Sequence, residues 1–279
     1  MIGVFDSGVG GLSILKYITK ELPDYKYVYL ADNARNPYGN HSQETVVKYT
    51  RQAVNYLFDR GVKLIIVACY SASSLALRTI QDEMLVKKNV KDRKILGVLR
   101  PVAEEAAKLT KNKRVGVIAT RATTGSKAFE TEIAKLDKGI RVFVKSCPLL
   151  VPLIEEQWGD KPETRKIAKA YLREMKSFNV DNLILGCTHY PLIQKTISQI
   201  MGKKVNVPNI GEIVAKSLKD YLGRHPEIEK SLSKGGAGNT ALSNVEFLNT
   251  DKIPEFCQLG SKFLGHPITN IKKIDLSEY

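Results

Sequence analysis

Short, unbroken apolar runs recur along the chain, each separated from the next by enough residues for a helix. Ile2–Phe5, Tyr27–Leu30, Leu64–Ala68, Ile95–Val98, Val115–Ala119, Arg141–Val144, Leu183–Leu185 and Lys204–Val207 are the candidate strands. A run that is apolar at successive positions, rather than alternate ones, fits a parallel strand covered on both faces. The intervening segments read as helices. Ser42 can cap one that carries Val47, Val54 and Phe58 on one face, beside Val46, Ala53 and Leu57, and Gly61 ends it. This rhythm predicts an α/β fold with largely parallel sheets flanked by helices.

The runs also repeat. Ile2-Gly3-Val4-Phe5-Asp6-Ser7 has a counterpart in Val115-Gly116-Val117-Ile118-Ala119-Thr120, offset by 113 residues. Lys63-Leu64-Ile65-Ile66-Val67-Ala68-Cys69-Tyr70-Ser71 and Asn182-Leu183-Ile184-Leu185-Gly186-Cys187-Thr188-His189 each lead into a cysteine, and the cysteines are 118 residues apart. Such close offsets point to two similar α/β halves within the 279 residues. Each half would place one cysteine at the C-terminal end of a parallel strand, the edge where open α/β sheets bind ligands.

Composition narrows the function classes. A hydrophobic fraction of 43% with 26% charged residues excludes a mostly disordered or collagen-like chain. The 43 Lys and Arg exceed the 29 Asp and Glu by 14, which suits an anionic partner or a general lysine bias. The four cysteines, Cys69, Cys147, Cys187 and Cys257, form no C-x-x-C pair, so zinc and thioredoxin-type motifs have no support. No run approaches the roughly 18 apolar residues of a membrane span. Met1–Asp6 lacks the basic start of a signal peptide. The expected compartment is the cytoplasm, where the cysteines are free thiols.

Asp6-Ser7-Gly8-Val9-Gly10-Gly11 follows the first strand, but Ser13 breaks the G-x-G-x-x-G dinucleotide pattern. The segment reads as a tight strand-to-helix turn whose N–H groups can face a carboxylate. Asp6 either orients and deprotonates another group there or caps the helix. The polar loop Ala31–Gly39, with Pro37-Tyr38-Gly39, either walls a pocket or joins two elements. Cys69 and Cys187 stand at helix starts, a position expected to lower a thiol's pKa. Ser71 and Thr188 supply hydroxyls for a carboxylate, and His189 is a candidate acid or base for Cys187. A polar segment from Pro226 to Asn244 reads as a flexible loop.

Two thiols on opposite faces of a Cα–H bond suit inversion of that centre. One takes the proton and the other returns one, without a redox cofactor or metal. The carbanionic transition state then needs preorganised donors around the carboxylate, with water excluded.

At these residues the sequence resembles the glutamate racemases, cofactor-independent racemases that make D-glutamate for peptidoglycan. The resemblance covers essentially the whole chain. It rests on Asp6–Leu12, Ala31–Arg35 with Pro37-Tyr38-Gly39, Val67-Ala68-Cys69, Val117–Thr123, Cys147–Glu156 and Leu185–Leu192. It implies two α/β domains with the site between them: residues 1–97 with 208–279 as a discontinuous first domain, and 98–207 as the second. It implies Cys69 and Cys187 as the bases for D- and L-glutamate respectively, assisted by Asp6, Glu155 and His189. It also places Asp6, Ser7, Pro37, Tyr38, Gly39, Tyr70, Ser71, Thr120, Thr123, Thr188 and His189 at substrate-binding positions. No cofactor is implied, and a homodimer is.

The sequence departs from the family pattern at three places. Tyr70-Ser71 replaces the usual Asn-Thr, Arg100 stands where many members carry glutamate, and Asn36 stands where an aromatic residue is common. Tyr70 leaves open a racemase of aspartate or another amino acid. Some family members are reported to bind DNA gyrase, so the alternative of a different class is a gyrase- or nucleic-acid-binding protein. No nucleic-acid motif and no aromatic-interleaved basic stripe supports it.

Overall fold

The computed structural model describes residues 1–236 and 242–279. Nine strands form two sheets: β1 Ile2–Asp6, β2 Tyr27–Ala31, β3 Leu64–Val67, β4 Lys94–Gly97, β5 Arg114–Ala119, β6 Arg141–Ser146, β7 Asn182–Gly186, β8 Val245–Asn249 and β9 Ile271–Lys273. The first sheet runs β4-β3-β1-β2-β8-β9 and the second β6-β5-β7. Every pairing between these strands is parallel. β1, β2, β3 and β7 are buried at every position, as their unbroken apolar sequences require.

The internal repeat is real at the level of topology. In the first sheet β1 lies between β2 and β3; in the second β5 lies between β6 and β7. Strand order therefore reverses between β1 and β3, and again between β5 and β7. Clefts form at such reversals, beyond the C-terminal ends of the strands. Asp6 ends β1 and Cys69 follows β3; Thr120 follows β5 and Cys187 follows β7.

The helices cover the sheets as the amphipathic pattern predicts. Helix Gln43–Asp59 starts at Ser42, whose hydroxyl accepts the Thr45 N–H at 3.3 Å, and buries Val46, Ala53, Val54, Leu57 and Phe58. Gly61 follows it with a φ of 78°, the left-handed conformation a helix end commonly uses.

Two expectations fail. Lys204–Val207 is not a strand of either sheet; Asn206 makes one isolated bridge to Asn182 beyond the sheet edge. The first sheet instead gains β8 and β9, whose sequences carry Glu246, Asn249, Lys272 and Lys273 among few apolar residues. Pro226–Glu229 forms a helical turn rather than loop, with Pro226 at its start. Of the remaining polar segment, residues 237–241 lie outside the described residues. Lys234 pairs with Glu229 at 3.5 Å and sits over the Tyr25 ring. No helix among the described residues is long and apolar enough to cross a membrane.

Candidate active site

Ser7, Pro37, Tyr38, Gly39, Cys69, Tyr70, Ser71, Thr120, Cys187, Thr188 and His189 meet around one cavity of about 20 Å³, with Asn36, Val151 and Gly186. The cavity holds about one water-sized centre. Asp6, Thr123 and Glu155 lie behind this lining. Both cysteines are 5% exposed, so each thiol is nearly sealed from solvent.

The two halves touch through side chains of the site. Ser71 and Thr120 share a hydrogen bond of 3.0 Å between their hydroxyls. The Thr188 hydroxyl donates to Asp6 Oδ1 at 3.3 Å, and the Ser13 hydroxyl donates to the Thr188 carbonyl at 2.9 Å. Close approach explains two glycines. A Cβ on Gly10 would lie 2.4 Å from Thr188 Oγ1, and one on Gly39 would lie 2.6 Å from Thr120 Cβ.

Asp6 is fully buried and accepts the Gly8 N–H at 3.1 Å. It therefore closes the turn after β1 as well as meeting Thr188. Burial raises its pKa to about 6, against the opposing pull of His189 and the Gly8, Gly11 and Thr188 donors. The Tyr29 hydroxyl braces the same turn by donating to the Gly8 carbonyl at 2.7 Å.

Cys69 donates from Sγ to the Ser7 hydroxyl at 3.4 Å and precedes helix Tyr70–Leu75. The helix start does not lower its pKa as expected. Burial, reinforced by the negative charge of Asp6, pushes the thiol up to about 12 and outweighs Ser7 and the Ala72 N–H. This thiol carries its proton near neutral pH.

Cys187 has a different neighbour. Its sulfur lies 3.9 Å from His189 Nδ1, and His189 Nε2 lies 3.0 Å from Glu155 Oε1. Burial opposes protonation of His189, but its bonds to Cys187 and Glu155 prevail and raise its pKa to about 10. Glu155 shows the complementary effect: burial disfavours its charge, yet His189 and Asn36 hold its pKa below the usual value. The two thiols thus sit in unlike electrostatic surroundings, one beside a carboxyl and the other beside an imidazolium.

Tyr70 is buried, stacks on Phe129 at a centroid distance of 5.9 Å, and leaves its hydroxyl without a protein partner. It fills the cleft between a helix of the first half and helix Ala128–Leu136 of the second. Thr123 donates its N–H to Thr120 Oγ1 at 3.4 Å, capping the helical turn Arg121–Gly125. Below Tyr38, Asp32 receives the Tyr38 hydroxyl, the Arg35 Nε–H at 2.7 Å and the Thr250 hydroxyl at 3.1 Å. Arg100 is exposed and pairs with Glu104 at 2.9 Å, away from the cavity lining.

Sequence reading passed over Asn36 and Asp32 as site-forming groups. Asn36 Nδ2 donates to Glu155 Oε1 at 2.7 Å, a contact across the cleft between residues 119 positions apart. Its only sequence signal was its departure from an aromatic. No group of His, Cys, Asp and Glu among the described residues is arranged to hold a metal ion.

Comparison with known proteins agrees with this geometry. The Asp/Glu/Hydantoin racemase family matches residues 11–215. A glutamate racemase of Persephonella marina is 40% identical, over 99% of this chain and 98% of its own. One of Geobacter metallireducens is 36% identical, over 99% and 96%. The crystal structure of glutamate racemase from Francisella tularensis in complex with D-glutamate has a TM-score of 0.86 at 32% identity, covering 100% of this chain and 98% of that one. By sequence over most of its length, and by fold, the chain belongs to the Asp/Glu/hydantoin racemase family.

Proposed function

We propose that the protein interconverts L- and D-glutamate through two thiols, without a cofactor, supplying D-glutamate for peptidoglycan. The observation that supports this most is that Cys69 and Cys187 line one cavity from two topologically equivalent strand ends. In the L to D direction, the Cys187 sulfur first takes the α-proton and Cys69 then delivers its own from the opposite face. The pair of electrons left on Cα forms the new C–H bond, and the two sulfurs exchange protonation states. The reverse direction uses them in the opposite order.

The other residues prepare this exchange. His189, held by Glu155, carries a positive charge beside the Cys187 sulfur. Asp6 stabilises the turn that presents Ser7 to the Cys69 thiol. Ser7, Ser71, Thr120, Thr188 and backbone N–H groups around Pro37-Tyr38-Gly39 receive the carboxylates, and Tyr70 offers its free hydroxyl. Thr123 supports Thr120. Sealing both thiols from water strengthens each of these interactions at the moment of proton transfer. A cavity of about 20 Å³ is too small for an amino acid, so binding separates the halves and closure reseals them.

The division into 1–97 with 208–279, and 98–207, follows the sheets, since β8 and β9 rejoin the first sheet beside β2. A cytoplasmic homodimer belongs to the same reading, on the family's example. Circular dichroism of L-glutamate solutions checks the activity directly. The signal should decay to zero as the racemate forms, while L-aspartate decays at least about 100-fold more slowly. No decay, or equal decay of aspartate, contradicts the assignment.

A further inference from the structure

We infer that Asn36 is a positioning residue for the Cys187 side of the reaction, acting across the cleft through Glu155 and His189. The inference rests on the glutamate racemase reading. Four groups stand in series. Asn36 Nδ2 donates to Glu155 Oε1 at 2.7 Å; the same oxygen lies 3.0 Å from His189 Nε2; His189 Nδ1 lies 3.9 Å from the Cys187 sulfur. Asn36 belongs to the first half and the other three to the second, so the series is complete only when the cleft is closed.

The chemistry of each atom sets the direction of the effect. A carboxylate oxygen only accepts, so the amide nitrogen of Asn36 must face Glu155. Its Oδ1 is left buried without a protein partner, and a Cβ on Gly8 would stand 3.3 Å from it. Two donors on one oxygen hold Glu155 ionised and fix where that charge lies. A charge fixed there keeps the His189 ring oriented with Nδ1 toward the sulfur. Nothing comparable supports Cys69, whose neighbours are Ser7 and Asp6. The residue thus affects one of the two proton transfers and not the other.

The test compares wild type with Asn36→Leu, which keeps the size of the side chain and removes the donor. Turnover should fall about tenfold, the scale of one hydrogen bond to a charged group. Because L- and D-glutamate are equally stable, kcat/KM must fall equally in both directions. What separates the two directions is the primary isotope effect. With α-deuterated L-glutamate, whose proton Cys187 takes, the effect should rise above the wild-type value. With α-deuterated D-glutamate, whose proton Cys69 takes, it should fall. Asn36→Gln, which keeps an amide donor, should recover part of the rate, and Asn36→Asp serves where leucine disturbs folding. Wild-type turnover in Asn36→Leu, or isotope effects that move together, overturns the inference. If the wild type leaves glutamate unchanged, the activity reading fails instead. The positioning role is then read from the imidazole nitrogen resonances of His189, which must shift in Asn36→Leu; resonances that stay put overturn it.

Discussion

At the scale of single residues, the site separates two similar thiols by what stands beside them. Cys69 faces a buried carboxyl and holds its proton; Cys187 faces an imidazolium held in place by Glu155. The sign of the Asp6 effect can be checked on stability. Its pKa is raised from 3.8 to about 6, so the folded chain binds a proton that the unfolded chain has already lost between those values. Asp6 therefore stabilises the fold fully below pH 3.8 and loses that contribution as pH rises through about 6. The loss amounts to roughly 3 kcal/mol by pH 7. Urea unfolding of Asp6→Asn should show a smaller decline between pH 4 and pH 7 than wild type shows. An unchanged decline would mean that Asp6 does not carry this proton. At this scale the sequence was a good guide to identity and a poor guide to state. The two cysteines, His189 and Glu155 stood out by motif. The acidity of Cys69 did not, because a helix start favours the thiolate while burial and Asp6 oppose it, and both of the latter depend on tertiary contacts.

At the scale of elements, the strands that carry the site were legible and the strands that complete the sheet were not. β1, β3 and β5 are interior strands and β7, at the edge of the second sheet, is buried at every position, so all four are mostly apolar. β8 and β9 close one side of the first sheet after a long polar segment, and β9 has an exposed surface that permits lysines. Lys204–Val207 has the composition of a strand but finds only the single bridge at Asn182. The cleft has its own packing element in the stack of Tyr70 on Phe129, where Phe129 also lies near Gly186, the residue before Cys187. Phe129→Ala should lower stability by about 3–5 kcal/mol, as a buried phenylalanine truncation does. It should also reduce turnover, since it unsupports both Tyr70 and the strand end that presents Cys187. Thermal unfolding and initial rates measure the two effects. Wild-type rates in a destabilised variant would confine Phe129 to the core.

At the scale of the whole molecule, the fold doubles one arrangement and turns the copies toward each other. The repeat of apolar runs announced the doubling, and the sheet order shows its consequence, a strand-order reversal in each half with one cysteine at each. The positive charge proved less informative. No Lys or Arg lines the cavity, so the +14 surplus is not what receives a dicarboxylate there. The cavity is lined instead by hydroxyls contributed by both halves at once, a convergence that no local pattern reveals. The central claim is that the two thiols form one catalytic unit. It is tested by incubating Cys69→Ala and Cys187→Ala separately with each glutamate enantiomer in D2O and measuring α-deuterium in the inverted product. Neither variant should form deuterated product of opposite configuration at a detectable fraction of the wild-type rate. A variant that does so within about tenfold of wild type would show that one thiol is dispensable and contradict the account.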